Sequence, residues 1–231
     1  MAVILNIDTS TDVCSVALTA EGGVMCHRED FTGRNHALML SGFIKDCLDR
    51  LAELELKLDA VAVSMGPGSY TGLRIGLSEA KGLAFALGIP LIGVDTLQLL
   101  SVSVMFSGRD IPENALYAPM IDARRMEVFT AVYDAALIPL LPPQPLILDA
   151  DSYADFLADH QVMFFGNGSD KAREVITSPN AIFIPDIKPV AVDMLALSER
   201  AWMRKEFLDL AYSTPWYRKE FQTTKPKNPL I

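Results

Sequence analysis

The spacing of hydrophobic and polar positions changes several times along the chain, and each change predicts an element. The first thirty residues carry short apolar runs, VILNIDTS, CSVALTA and GGVMCHREDF. These predict three strands joined by turns at Thr11-Asp12 and at Glu21-Gly22-Gly23. From His36 to Leu54 the period becomes helical, with Leu40, Phe43, Ile44, Cys47, Leu48 and Leu51 on one side. LDAVAVSMG is a β-branched apolar run of the kind found in buried strands. A helix then runs from Thr71 to about Leu87 and stops at Gly88 and Pro90. PLIGVD gives another strand, and TLQLLSVSVMF another helix, capped by Asp95 or Thr96.

The pattern breaks over SGRDIPENA, residues 107–115, and then begins again with strands. ALYAPMIDAR and MEVFTAVYD are followed by a Pro-rich stretch, LIPLLPPQP. Next come a helix near 151–159, the strand VMFFGNG, a helix near 169–176, the strand AIFIP and a long helix over about 190–208. The tail YRKEFQTTKPKNPLI lacks periodicity and reads as extended. IDTSTDVCSVALT (7–19) and IDARRMEVFTAVY (121–133) share one plan: a strand ending in Ile-Asp, a polar turn and an alternating strand. This predicts two copies of one unit, residues 1–108 and 109–231, facing each other with Asp8 and Asp122 at equivalent strand ends beside a cleft.

Charge narrows the function. With 20 basic and 29 acidic residues the net charge is −9, which opposes unaided binding to a nucleic-acid backbone. Three cysteines, Cys14, Cys26 and Cys47, have neither CxxC pairing nor metal-ligand spacing and read as small buried side chains. The opening MAVILNIDTS has no basic segment or cleavage site of a signal peptide, and no run is apolar enough to span a membrane. A cytoplasmic protein with no membrane contact is the expectation.

The stretch SMGPGSYTGLRIG (64–76) is the strongest candidate for chemistry, because a glycine turn opening a helix often holds phosphate. Its spacing fits neither phosphate fingerprint: no lysine follows as in a P-loop, and Gly66, Gly68 and Gly72 give GxGxxxG. Pro67 also removes a backbone donor. Gly72, Gly76, Ala80, Ala84 and Gly88 instead form an i, i+4 stripe of small residues, which lets another backbone approach, within this chain or from a partner. Arg74, near the start of the helix, calls for a carboxylate or polar backbone partner. The three histidines are scattered, and no nucleophile elbow or Ser–His–Asp spacing is present. Asp8 and Asp122 suit either magnesium held through water or capping of their own turns. Asp8, Thr9, Asp122 and Arg124 are the candidates for a residual nucleotide site, although IDTST lacks a glycine for close phosphate approach.

IDTSTDVCSVAL, SMGPGSYTGLRIGLSEAKGLA, PLIGVDTL and APMIDARRMEVFTAVY, in that order over residues 1–135, resemble the bacterial TsaB (YeaZ) family. The resemblance implies an α/β fold of the ASKHA type (actin/sugar kinase/Hsp70-like, ribonuclease H-like), with duplicated domains and mixed sheets flanked by helices. It implies a non-catalytic role in forming N6-threonylcarbamoyladenosine (t6A) on tRNA, paired with the catalytic subunit TsaD and recruiting the ATPase TsaE. ATP and Mg²⁺ belong to the complex rather than to this subunit, and tRNA is reached only through it. TsaD carries an HxxxH metal site; the corresponding positions here are His36 and Leu40, which cannot form it. Family members use the helices at 36–54 and 71–87 to bundle with the partner, or with a second copy when alone. His36, Leu40, Phe43, Gly72, Gly76, Ala80 and Ala84 are therefore the expected interface. The rival readings are a nucleotide-dependent enzyme of the same fold, such as a small-molecule kinase, and a metallopeptidase.

Overall fold

The computed structural model describes residues 2–33 and 35–216; the expected extended tail over 217–231 lies outside them. Two five-stranded sheets dominate. The first is built from β1 (Ile4–Asp8), β2 (Cys14–Ala20), β3 (Gly23–Asp30), β4 (Ala60–Gly66) and β5 (Leu91–Asp95), in the order β3-β2-β1-β4-β5. β1 pairs antiparallel with β2 and parallel with β4. The second contains β6 (Leu116–Asp122), β7 (Glu127–Tyr133), β8 (Pro139–Ile147), β9 (Val162–Phe165) and β10 (Ala181–Ile184), in the order β8-β7-β6-β9-β10. β6 likewise pairs antiparallel with β7 and parallel with β9. The two sheets thus repeat one topology, the duplicated ribonuclease H-like arrangement of the ASKHA class.

Helices α1 (His36–Glu53) and α2 (Tyr70–Leu87) cover one face of the first sheet and share its core with Leu5, Ile7, Val16 and Val63. Helix α3 (Thr96–Met105) lies between the sheets. Its Leu99 and Val102 pack with the first, and its Leu97, Leu100 and Val104 with the second. That explains why TLQLLSVSVM carries no charged residue: a helix with two packed faces has no charged side to show. Asp95 caps it, accepting hydrogen bonds from Leu97 N at 2.8 Å and Gln98 N at 3.3 Å. In the second half α4 (Ala154–Asp159) and α5 (Ser169–Arg173) are short.

Two segments differ from the sequence-based expectation. The Pro-rich stretch forms β8, whose four prolines are tolerated because, among the described residues, it is an edge strand with β7 as its one neighbour. The expected long helix over 190–208 is a 3₁₀ turn (Ala191–Met194) followed by α6 (Leu195–Arg204), ended by Lys205 at φ 56°. These residues return to the first sheet. Met194 and Leu197 pack with Ile4 and Ile92, and Leu208 bridges Leu91 beyond β5. Residues 191–208, grouped with the second half on sequence, therefore cover the first. Among the described residues no helix is long and apolar enough to cross a membrane.

The small-residue stripe on α2 is packed inside the chain. Ala80 and Ala84 are buried in the first core. A Cβ on Gly72 would stand 2.2 Å from Thr9 O, and one on Gly76 would stand 2.2 Å from Thr9 Oγ1. The expectation that Gly72, Gly76, Ala80 and Ala84 meet a partner is therefore corrected: they are already occupied by the turn after β1 and by the sheet. Gly82 differs, since it is exposed and a Cβ there would meet no atom within 4 Å. Gly72→Ala should lower stability by about 1–3 kcal/mol because backbone must move. Gly82→Ala should raise it by about 0.5–1 kcal/mol through helix propensity alone. Urea denaturation of the two variants checks both signs.

Candidate functional site

The turns after β1 and β6 face a cleft of about 1700 Å³, lined by Ser10, Thr11, the start of α2, residues 121–127 and Lys188. The glycine turn forms one wall, and its backbone is committed to the β1 turn. Ser69 N donates to Ser10 O at 2.7 Å, and Thr9 Oγ1 donates to Gly72 O at 2.8 Å. A Cβ on Gly68 would stand 2.2 Å from Ser10 O. Ser69 is the N-cap of α2, its Oγ accepting from Gly72 N at 3.2 Å. The glycines thus allow close packing of a helix on a strand end. Gly166-Asn167-Gly168-Ser169 repeats Gly66-Pro67-Gly68-Ser69 at the equivalent place in the second sheet. Gly66 and Gly166 both have positive φ, 106° and 91°; a Cβ on Gly168 would meet Val128 Cγ1 at 2.9 Å and Asp122 N at 3.1 Å, a looser contact than that of Gly68 on Ser10 O. This GxGS pair is readable in the sequence but lies outside the strand repeat at 7–19 and 121–133.

The two aspartates end equivalent strands in different surroundings. Asp8 is fully buried, as is Thr9, and neither lines the cleft. Asp8 Oδ1 accepts from Ser10 N at 3.3 Å. Burial pushes its pKa up to about 6 against the opposing pull of the Ser64 and Ser10 hydroxyls. Asp122 is exposed at the cleft, ion-paired with Lys171, and accepts from Arg124 N at 2.9 Å. Its own N–H donates to Asn167 Oδ1 at 2.9 Å. Of the four nucleotide candidates, only Asp122 and Arg124 reach the cleft. Asp8 and Thr9 are removed from it by burial, so the four do not make one magnesium-nucleotide site. Lys171 already neutralises Asp122 and donates to Arg125 O at 2.8 Å and Glu127 O at 2.5 Å, which pins this turn. Arg124 and Arg125 themselves hold positive φ, 71° and 51°.

The remaining expected interface residues on α1 also turn inward. His36 is buried with Nε2 3.1 Å from Val13 O, Leu40 is in the core, and Phe43 is packed against it. Among the described residues the partner of Arg74 is a side chain on its own helix rather than a carboxylate or backbone: its Nη1 donates to Tyr70 Oη at 2.5 Å, with the guanidinium 5.2 Å from that ring's centroid. Among the described residues, no three of His, Cys, Asp and Glu gather as a metal-ligand set. What remains open is a groove of about 870 Å³ between the outer faces of α1 and α2. Ala37, Ser78 and Gly82 line it beside Tyr70, Ile75 and Leu83, and Ser41 Oγ bridges the two helices by donating to Glu79 Oε1 at 2.7 Å. Leu38 and Phe85 stand out nearby at 78% and 80% exposure. The sequence signal for this face was Gly82, a glycine inside a helix that lies off the buried stripe.

The Asp8 carboxyl gives this wall a pH dependence. The unfolded chain loses that proton near the ordinary value of 3.8, the folded protein near 6. Between the two the native state binds the extra proton, so this contribution to stability is present at low pH and is lost as pH rises. Asp8→Asn should therefore stabilise the protein above pH 7 by on the order of 2–3 kcal/mol, with the difference vanishing below pH 4. Urea midpoints of both proteins across pH 4–8 check the sign.

Comparison with known proteins agrees with this architecture. The family model described as TsaD, tRNA N6-adenosine threonylcarbamoyltransferase, matches residues 13–137, more than half of the chain. A Bacillus subtilis (strain 168) protein named tRNA threonylcarbamoyladenosine biosynthesis protein TsaB is 32% identical, over 75% of this chain and 74% of its own length. The Escherichia coli (strain K12) protein of that name is 38% identical over 56% of this chain and 54% of its own length. Among solved structures, YeaZ from Pseudomonas aeruginosa superposes with a TM-score of 0.78 at 30% identity, covering 94% of this chain and all of that one. Another, described as an uncharacterized protein with similarity to peptidase YEAZ from the same organism, gives 0.81 at 28% identity, with 95% and 100% covered. The doubled sheet and the relatives sharing it place one conclusion beyond the fold: this chain belongs to the TsaB (YeaZ) family of tRNA threonylcarbamoyladenosine biosynthesis proteins.

Proposed function

We propose that this chain is a non-catalytic subunit in the cytoplasmic synthesis of t6A on tRNA, and that it docks the catalytic subunit TsaD on the groove between α1 and α2. The ATPase TsaE joins the resulting pair, and tRNA is met by the assembly rather than by this chain, whose net charge of −9 repels a phosphate backbone. The observation that carries the docking is Gly82. An interior helix glycine costs about 0.5–1 kcal/mol against alanine. Gly72 and Gly76 offset that cost by admitting Thr9, whereas among the described residues nothing fills the space at Gly82. A helix from outside, seated along Ala37, Ser78 and Gly82 between Leu38 and Phe85, uses that space and covers the apolar rim. With no TsaD present, the same face closes a homodimer.

The absence of catalysis in this subunit is supported by the cleft. Asp8 is buried behind Ser10, Asp122 is neutralised by Lys171, and the glycine turn is occupied by the β1 turn. A kinase-like enzyme of this fold needs a carboxylate free to hold magnesium beside the phosphates.

Gly82→Arg is expected to keep the fold, since the site is open, and to reduce co-elution with TsaD in size-exclusion chromatography at least tenfold. Transfer RNA from cells carrying only that variant should lose t6A. An intact heterodimer with Gly82→Arg would place the docking face elsewhere. Calorimetry with magnesium-ATP on the isolated chain tests the other half: micromolar binding with turnover would overturn the non-catalytic role.

A further inference from the structure

Cys26 and Cys47, far apart in sequence, meet across the boundary between β3 and α1. The Cys47 thiol donates to Cys26 Sγ with the sulfurs 3.4 Å apart. A β-bulge produces the meeting. β3 pairs Leu18 with Cys26 and Thr19 with Val24, leaving Met25 as an extra residue. The bulge turns Met25 and Cys26, neighbours in sequence, both toward the core under α1. The alternation expected of this strand would have sent one of them outward. Beside the sulfurs, Arg28 Nε is ion-paired with Asp46 Oδ2 at 2.8 Å, so the strand and helix are held in register at adjacent positions. Arg28 Nη1 lies 3.8 Å from Cys26 Sγ. The two thiols differ in access: Cys26 is half-buried and Cys47 is fully buried.

We propose that Cys26 and Cys47 form a reversible disulfide on exposure to peroxide, stapling the outer strand of the first sheet to helix α1. Cys26, the accessible sulfur, attacks the peroxide. The O–O bond breaks, one oxygen leaves as water, and Cys26 becomes a sulfenic acid. The Cys47 sulfur then attacks Cys26 Sγ and displaces the sulfenic hydroxyl, which takes up the Cys47 proton and leaves as a second water. Two electrons pass from the thiol pair to the peroxide, and a dithiol returns them through a mixed disulfide. Cys47 is the resolving partner by position, fully buried and 3.4 Å from Cys26 Sγ, and burial, which pushes its thiol up to about 12, disfavours its reacting with peroxide first. Cys14, buried within the core, stays reduced.

Hydrogen peroxide treatment of the full chain, followed by thiol titration in denaturant and non-reducing peptide mapping, tests this. The expected result is a fall from three titratable thiols to one, a mass loss of about 2 Da, and a Cys26–Cys47 linked peptide in a chain that stays uncross-linked to others, all reversed by dithiothreitol. In Cys47→Ser the reaction should stop at Cys26 sulfenic acid, trapped by dimedone. Mapping of the unmodified sequence decides the matter even if that variant folds poorly. Three thiols remaining, sulfinic acid on Cys26 without a cross-link, or linkage through Cys14 or between chains would each overturn the proposal.

Discussion

The seat of α2 on the turn after β1 is the contact on which the rest of this structure depends. Thr9 and Ser10 push their carbonyls into positions that only glycine leaves open, at Gly68 and Gly72, and Thr9 adds its hydroxyl at Gly76. A helix drawn that close has one face wholly committed, with Ala80 and Ala84 continuing the contact into the core. Its outer face is then set by geometry, and with α1 alongside it forms a groove. The same glycines that resemble a phosphate loop in the sequence thus make a rigid wall and, on the far side, an open face.

Duplication shows what that seat does. Both halves end their first strand in Ile-Asp and follow their fourth with GxGS, yet the aspartates fare differently. In the first half the helix after GxGS is α2, eighteen residues long, and Asp8 is sealed beneath the turn, where it accepts from Ser10 N. In the second the corresponding helix, α5, has five residues. Asp122 stays at the surface there, where Lys171 on that helix reaches it. One duplicated frame therefore gives a desolvated carboxyl and a paired one. Neither is presented to a ligand as a free carboxylate.

Much of the fold was legible because periodicity reports burial directly. The strands and both long helices of the first half lie within a residue or two of where the pattern puts them, and SGRDIPENA separates the two sheets. The Pro-rich β8 was illegible as a strand because its acceptability depends on having one neighbour, which is a property of the sheet and not of the segment. The site was less legible. A stripe of small residues announces a close approach without naming what approaches. Here Thr9, sixty-odd positions away, was the answer for Gly72 and Gly76. Cys26 and Cys47 were hidden for a related reason: a one-residue bulge decides which way Cys26 points, and no alternation pattern carries it.

Gly82 and the cysteine pair bear on the same helix layer from opposite sides. Ser41 ties α1 to α2 at the groove, while Arg28 and the sulfur pair tie α1 to β3 behind it. α2 is immobilised by its seat on Thr9, so α1 is the element of the groove with the freer support. Its inner contacts are side chains of ordinary size rather than backbone against glycine. The position of α1 thus sets the width of the groove, and the contacts beneath α1 set its position. A covalent bond between Cys26 and Cys47 would act on that support without touching the outer face, so the strand behind the helix, and not the helix surface, is the place from which the width of this groove can be adjusted.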